Sequence, residues 1–441
     1  MLPLLHTSIP GQRSLALAEK LRRYESRNVT FLAPDFPVFW ERAEGVNVWD
    51  VDGNRFLDLT SAFGVASLGH VNPALREALV QQSAAMLHGM GDVHPTALKA
   101  ELCAQLSALT FERWDAGVGK TILSNSGSDA VESALKTALL FTGKAGMIAF
   151  TGGYHGLGFG ALSAGGIPFF REPFRAQLKD FATLLPFPHP GQEDKLPSLR
   201  AQIETVIRNG EVGCILVEPV QGRGGCVVPP AGFLPMLRGV CDAHGILLIA
   251  DEIYTGFHRT GALFACDHFG VVPDIVCLGK ALTGGFPLSA CVGRGAVMDA
   301  WPLSTGEALH TSTFLGNPLG CAMALASLRQ HSEAATENLV QERGAKMRRA
   351  LEGVRSPHIG NVRGLGLMLG LELVKTDGAP FTNLAVGIIK NSLRDGLLLL
   401  ADSPAGNVLS FTPPFQISDE EIDFAAGRIQ EYLTFLPGSI S

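Results

Sequence analysis

The stretch from Ile246 to Leu288 constrains the fold more than any other part of the chain. At one end Ile246-Leu-Leu-Ile-Ala runs into Asp251-Glu252, and at the other Ile275-Val-Cys-Leu runs into Gly279-Lys280. Short apolar runs closed by a polar residue have the pattern of parallel strands, buried on both faces, that deliver side chains to their carboxyl edge. Open α/β sheets bind ligands at that edge. Asp251 and Lys280 therefore reach one apolar crevice as a carboxylate and an amine. Such a pair suits an organic cofactor that needs an anion to stabilise a cation at one end and an imine-forming amine at the other. The rival reading is a buried ion pair without chemistry, because buried charges are normally paired whatever their task.

Further strand and helix signals alternate around this stretch, as in a doubly wound sheet. Thr121-Ile-Leu-Ser124, the run 145–150 and Cys214-Ile-Leu-Val217 read as buried strands, and 233–244 as a helix leading into the central stretch. Asn125-Ser126-Gly127-Ser128-Asp129 is a small-residue turn where a helical pattern begins. The N–H groups and positive dipole end of such a turn bind phosphate. An ordinary cap, with Ser126 capping and Asp129 completing a capping box, explains the same residues. Gly153-Tyr154-His155-Gly156 follows the 145–150 run, at a sheet edge where a flat aromatic suits a flat cofactor. Residues 157–195, rich in Gly, Phe and Pro, read as irregular chain crossing the surface. Glu218 closes the 214–217 run, with Gln221-Gly222-Arg223 beyond it.

The two ends have a different texture. Residues 46–59 alternate apolar and polar around Asp52-Gly53, a strong hairpin signal. Phe63 follows in a Gly-punctuated loop, as a core aromatic or a pocket wall. After Lys280 come a short strand near 288–293, the polar loop His310-Thr-Ser-Thr313-Phe-Leu-Gly-Asn317-Pro318 and a long helix. From about 336 the pattern becomes helix, strand 368–374, helix 384–394, strand 408–411 and a last helix opened by a capping box at Ser418 and Glu421. At 441 residues the chain is long for one core, given about 100–200 residues per domain. We expect an N-terminal segment 1–64 that contributes to a smaller domain, a large domain 65–330, and a C-terminal α+β domain 331–441.

A net charge of −7, with both signs interspersed, gives no basic stripe for nucleic acid and no polybasic patch for a membrane. No apolar run reaches the ~18 residues of a membrane span, and the N-terminus carries no charged leader, so a cytoplasmic enzyme is expected. The eight cysteines show no Cys-x-x-Cys spacing and no companion histidine, so we expect no metal site.

Taken in order, Asn-Ser-Gly-Ser-Asp-Ala-Val-Glu, Gly-Tyr-His-Gly, Val-Glu-Pro-Val-Gln-Gly, Ala-Asp-Glu-Ile, Gly-Lys-Ala-Leu-Thr-Gly-Gly and Thr-Phe-x-x-Asn-Pro resemble the class III (omega) aminotransferases. The resemblance spans roughly residue 46 to the end. It implies a pyridoxal-phosphate enzyme of fold type I: a mixed, mostly parallel sheet flanked by helices, plus a smaller α+β domain. It also implies ping-pong transfer of an amino group to a 2-oxo acid. Lys280 would form the Schiff base and carry the proton between Cα and C4′, as a lysine amine is able to do. Asp251 would face the pyridine nitrogen and keep it protonated. Ile253 and Tyr154 would cover the two ring faces, and Gly127 and Ser128 would hold the phosphate. Thr313 would reach the phosphate from a neighbouring subunit, implying a homodimer with shared active sites. His155 and Glu218 match motif positions as cofactor neighbours, His155 either as a direct contact or as a buttress.

The departures concern substrate. Many relatives have glutamine where this chain has Tyr254, whose hydroxyl is one candidate for the missing donor to the cofactor's phenolic oxygen. The 4-aminobutyrate and ornithine types carry a carboxylate-binding arginine shortly before the final Pro-Pro and a glutamate that swings in to neutralise it. Here no Lys or Arg lies between Arg394 and Arg428, Ser410 stands near the arginine's place, and Arg223 occupies the glutamate's. Loss of the arginine alone leaves a desolvated carboxylate unpaired, at several kcal/mol. The arginine at the partner position suggests relocation, against the plainer reading of a solvated loop residue. Phe63, where ornithine aminotransferases have tyrosine, argues for an apolar contact, and with the missing arginine points to an amine or ω-amino donor. The alternative activity is a racemase or aminomutase on the same scaffold, since reprotonation at another face or carbon needs no new residue types. A non-catalytic relative is the third reading.

Overall fold

The computed structural model describes residues 1–435, and residues 436–441, which close the expected terminal domain, lie outside it. The chain forms two compact units. One is Pro73–Glu337; the other joins Met1–Asn72 to the chain from Asn338 onward.

The larger unit is built on a seven-stranded sheet. In chain order its strands are β1 (Gly119–Ser124), β2 (Gly146–Phe150), β3 (Ala182–Leu185), β4 (Val212–Val217), β5 (Leu247–Asp251), β6 (Ile275–Leu278) and β7 (Ser289–Arg294). In space the order is β1-β7-β6-β5-β4-β2-β3. β7 runs antiparallel to both its neighbours, while the pairs from β6 to β3 are parallel. This is a mixed, mostly parallel α/β sheet.

The central strands are buried along their whole length, which explains why they read as unbroken apolar runs. Successive residues serve opposite faces. Ile215, Val217, Leu248, Val276 and Leu278 pack with Leu234, Leu237 and Val240 of the helix Phe233–His244. Leu216, Leu247, Ile249 and Cys277 pack with Ala130, Val131 and Ala134 of α1 (Gly127–Thr142) on the other face. Each large aliphatic side chain buried here contributes roughly 1.5–3 kcal/mol. Gly245, at φ +60°, ends the helix Phe233–His244 and returns the chain to the sheet at once.

The reading of residues 157–195 as irregular is corrected. The segment contains the short helices Phe159–Ala164 and Pro168–Arg171 and the edge strand β3, paired in parallel with β2 from Met147↔Ala182 to Phe150↔Leu185. Helices this short complete less than two turns and leave no 3.6-residue period in the sequence.

The smaller unit holds two four-stranded sheets. Asn47–Asp50 and Arg55–Asp58 form the hairpin at Asp52-Gly53, and Leu397–Leu398 adds to it in parallel. Ile359–Leu365, Met368–Leu373, Val408–Phe411 and Leu400–Asp402 form the second sheet. The capping box exists as read: Ser418 N donates to Glu421 Oε2 (2.8 Å) and Glu421 N to Ser418 Oγ (3.3 Å).

Candidate active site

Asp251 is the last residue of β5 and is buried. Its Oδ1 accepts from Ile253 N at 3.1 Å, and its Oδ2 lies 2.7 Å from His155 Nδ1. A carboxylate only accepts, so Nδ1 carries the proton. Burial works against a protonated His155, but the bond to Asp251, the Asp251 charge and nearby Glu218 outweigh it and raise its pKa above the ordinary value.

Lys280 follows β6 after Gly279. Its backbone is left-handed, at φ +46°, a conformation that costs a non-glycine residue of order 1–3 kcal/mol and persists only where the surroundings impose it. Leu282 N donates to Gly279 O (2.9 Å) and Thr283 N to Lys280 O (3.3 Å), tying that turn down. The Nζ lies 4.5 Å from the centre of the Tyr254 ring, so the tyrosine ring is a direct neighbour of the amine.

Ile253 links the lysine turn to the helix end. A Cβ on Gly127 would lie 2.9 Å from Ile253 Cδ1, and one on Gly279 would lie 3.4 Å from Ile253 Cγ2. Ser126 caps α1 through a bond from Asp129 N to its Oγ (3.2 Å). The first N–H groups of a helix have no intrahelical acceptor, and here they belong to Gly127 and Ser128. Ser128 Oγ accepts from Gly158 N at 2.9 Å, which leaves the hydroxyl proton to donate elsewhere.

Two loops beside Asp251 are joined by one carboxylate. Glu218 Oε1 accepts from Tyr154 N (2.9 Å) and Oε2 from Gly222 N (3.0 Å). Burial pushes the Glu218 carboxyl up to about 7, with His155 opposing. Gln221 Nε2 donates to Thr151 O at 2.9 Å, a second tie between the same loops. Arg223 is half-buried, its guanidinium carbon 5.9 Å from the centre of the Tyr154 ring. It is therefore not a fully solvated loop residue.

Asp251, His155, Ile253, Tyr254, Lys280, Gly127, Ser128, Tyr154, Glu218 and Arg223 all belong to the larger unit. Thr313 does too, on an exposed loop held by Thr311 Oγ1 to Asp92 Oδ2 (3.2 Å) and Asn125 Nδ2 to Ser312 Oγ (3.1 Å). Phe63 belongs to the smaller unit, is 55% exposed and has φ +61°, so it is not a core aromatic there. Ser410 is buried in the strand Val408–Phe411. Two neighbours escaped the sequence reading. Phe170 lies 5.4 Å from the Tyr154 ring, inside the segment read as irregular. Glu252 accepts from Ala265 N (3.0 Å), Cys266 N (2.8 Å) and the Thr255 hydroxyl, and so secures the loop after β5; its place beside Asp251 at a strand end was the visible signal.

A carboxylate, an amine and a capped helix N-terminus on one sheet edge, with glycine where a side chain would strike Ile253, fit an elongated, flat, phosphorylated cofactor. They define a fold type I pyridoxal-phosphate enzyme. The chain belongs to the class III aminotransferases: the family model "Aminotransferase class-III" matches residues 32–433. It is 35% identical to the 4-aminobutyrate aminotransferase of Mycobacterium leprae over 94% of each chain. To the putrescine aminotransferase of Pectobacterium atrosepticum it is also 35% identical, over 94% of this chain and 86% of that one. An amine transaminase from an uncultivated Pseudomonas species, solved in its PLP-bound form, superimposes with a TM-score of 0.85 at 30% identity, covering 93% of this chain and 98% of that chain. The protein is a pyridoxal-phosphate-dependent aminotransferase acting between an amino donor and a 2-oxo acid. These relatives give the isomerase alternative no support. Among the described residues no helix is long and apolar enough to cross a membrane.

Proposed function

We propose that this aminotransferase takes its amino group from an amine or ω-amino compound, and that Arg223 binds the carboxylate of the 2-oxo acid acceptor. The observation that carries the reading is the placement of a half-buried arginine beside Tyr154 in a chain with no Lys or Arg from 395 to 427. A donor tail without a carboxylate needs no second arginine. The name of the relative from P. atrosepticum, which specifies putrescine, is in keeping with an amine donor that carries no carboxylate.

Pyridoxal phosphate supplies an aldehyde carbon that takes an amine and a ring that accepts electrons. Lys280 moves the proton between the substrate Cα and cofactor C4′, and a short side chain at that position has no base to do so. Asp251 holds the proton on the pyridine nitrogen, oriented by His155. Gly127 and Ser128 hold the phosphate at the start of α1. Ile253 and Tyr154 close the two ring faces, and Tyr254 sets where the lysine amine rests.

Thr313 completes the phosphate site of a second copy, making a homodimer with shared sites. Support comes from exposed apolar residues on two tied segments, Leu87, Met90 and Val93 on one and Leu309 and Phe314 on the other. Asn317 Nδ2 donates to Leu87 O (3.2 Å) and the His88 and Phe314 rings lie 5.2 Å apart. A contiguous apolar patch of this kind marks an interaction surface. We place the enzyme in the cytoplasm, in keeping with eight cysteines that are all free thiols.

The test is a panel of amines and 2-oxo acids, followed by cofactor absorbance in wild type, Arg223→Ala and Lys280→Ala. Lys280→Ala abolishes turnover, and Arg223→Ala raises the acceptor KM. An unchanged acceptor KM and kcat/KM in Arg223→Ala would sink the arginine assignment.

A further inference from the structure

We propose that Phe170 is a specificity-determining positioning residue: with Tyr154 it holds the Arg223 guanidinium where an acceptor carboxylate is received. The inference rests on the reading of Arg223 above and adds to it the element that fixes the arginine.

The arginine carbon is almost equidistant from two rings, 5.8 Å from the centre of Phe170 and 5.9 Å from that of Tyr154. The rings meet edge to face, 5.4 Å apart at 66°, so the cation lies over the angle between them. A guanidinium within about 6 Å of a ring is attracted by the ring's quadrupole. The planar fork of N–H groups that a guanidinium carries matches a carboxylate bidentately.

The backbone fixes this cluster. Gly152 N donates to Gly166 O (3.0 Å) and Gly166 N to Gly153 O (2.8 Å), locking the chain that leads to Phe170 onto the loop that carries Tyr154. A Cβ at Gly166 would lie 2.2 Å from Phe150 O, so only glycine permits the approach. The same Tyr154 loop is bound through Glu218 to Gly222, the neighbour of Arg223. All three side chains therefore project from segments tied to one another by hydrogen bonds. An arginine has many rotamers to lose, and restricting them before the acceptor arrives raises affinity for it. The proximity has an electrostatic trace: burial raises the Tyr154 phenol pKa, and the Arg223 charge opposes the rise.

The experiment uses the holoenzyme first converted to its amino form, with pyruvate and acetaldehyde as acceptors. Acetaldehyde is pyruvate without the carboxylate. The readout is the ratio of kcat/KM for the two, with melting temperature as a folding control. Phe170→Leu keeps apolar bulk and removes the ring; it is expected to lower the ratio about tenfold, through a raised pyruvate KM, while Phe170→Tyr stays within about twofold of wild type. Arg223→Gln is expected to lower the ratio at least as far. If Phe170→Leu slows both acceptors equally, or neither, Phe170 is only a wall and the inference is overturned. If Arg223→Gln lowers the ratio and Phe170→Leu does not, only this inference fails. If Arg223→Gln leaves the ratio unchanged, the assignment of Arg223 fails first.

Discussion

Replacing His155 by leucine tests the site at its most enclosed bond. The two side chains are 1% and 4% exposed and 2.7 Å apart, so neither finds a water substitute when the other is removed. A hydrogen bond to a charged group contributes about 1.5–3 kcal/mol. At 1.36 kcal/mol per tenfold in rate, its loss slows the first half-reaction roughly 10- to 150-fold. The expected cause is orientation: with only the bond from Ile253 N remaining among those described, the buried carboxylate loses the donor that fixes its Oδ2, and with it the aim toward the ring nitrogen that the proposed role requires. Asparagine at 155 can place its amide N–H near the position of Nδ1, so His155→Asn should recover to within about fivefold of wild type. The assay is a stopped-flow single turnover of holoenzyme with a donor amine, each variant's cofactor content being measured beforehand. A leucine variant with full cofactor and a rate within about threefold of wild type would refute the argument, as would an asparagine variant no better than leucine.

Mixing Lys280→Ala with Thr313→Ala protein tests whether sites are shared. If Thr313 serves the neighbouring subunit, the mixed dimer contains one intact site and regains cofactor affinity and activity that neither parent has; no recovery on mixing places Thr313 in its own subunit's site or in none. Gly127→Ala pushes a methyl to 2.9 Å from Ile253 Cδ1, and overpacking of this kind costs about 1–3 kcal/mol; a roughly 5- to 150-fold weaker cofactor Kd is expected, and an unchanged Kd in equilibrium dialysis counts against Ile253 as the ring-face residue. His258 and His331 are buried with rings 5.8 Å apart, and His258 Nε2 donates to His331 O at 2.8 Å. Burial holds both below the ordinary histidine pKa, with the charges of His258 and Arg259 lowering His331 further. Because the unfolded chain binds these protons and the folded one resists them, stability from this pair is full above about pH 6.5 and falls as pH drops below it. His331→Phe should therefore lose less Tm than wild type between pH 7 and pH 5, and an equal loss refutes the assignment.

The sheet was legible because its central strands lie between two helical layers, which makes each an unbroken apolar run, and because Asp251 and Lys280 close two of them. The hairpin at Asp52-Gly53 and the Ser418–Glu421 cap were legible because each follows from local chemistry within four residues. Phe170 was not. Its helix spans Pro168–Arg171, too short for periodicity, and its neighbours Tyr154 and Arg223 are distant in sequence, brought near by the pair of hydrogen bonds between Gly166 and residues 152 and 153. The nearness of Tyr254 to Lys280 was equally out of reach: residue type showed a hydroxyl, whereas the 4.5 Å between its ring centre and the lysine amine comes from two strand ends lying side by side. His155 was left between contact and buttress for the same reason, since a motif match carries no direction for a ring nitrogen.

The Glu218 clip bears on how this enzyme can be re-engineered. A designer who wants another acceptor will replace the segment around Arg223, yet the carboxylate that receives the Gly222 N–H also receives that of Tyr154. Any grafted loop must offer an N–H at position 222, which rules out proline there, and must leave Glu218 in place. If Tyr154 covers the cofactor ring as proposed, a transplant that ignores this moves it too, and what looks like failed specificity is lost cofactor binding.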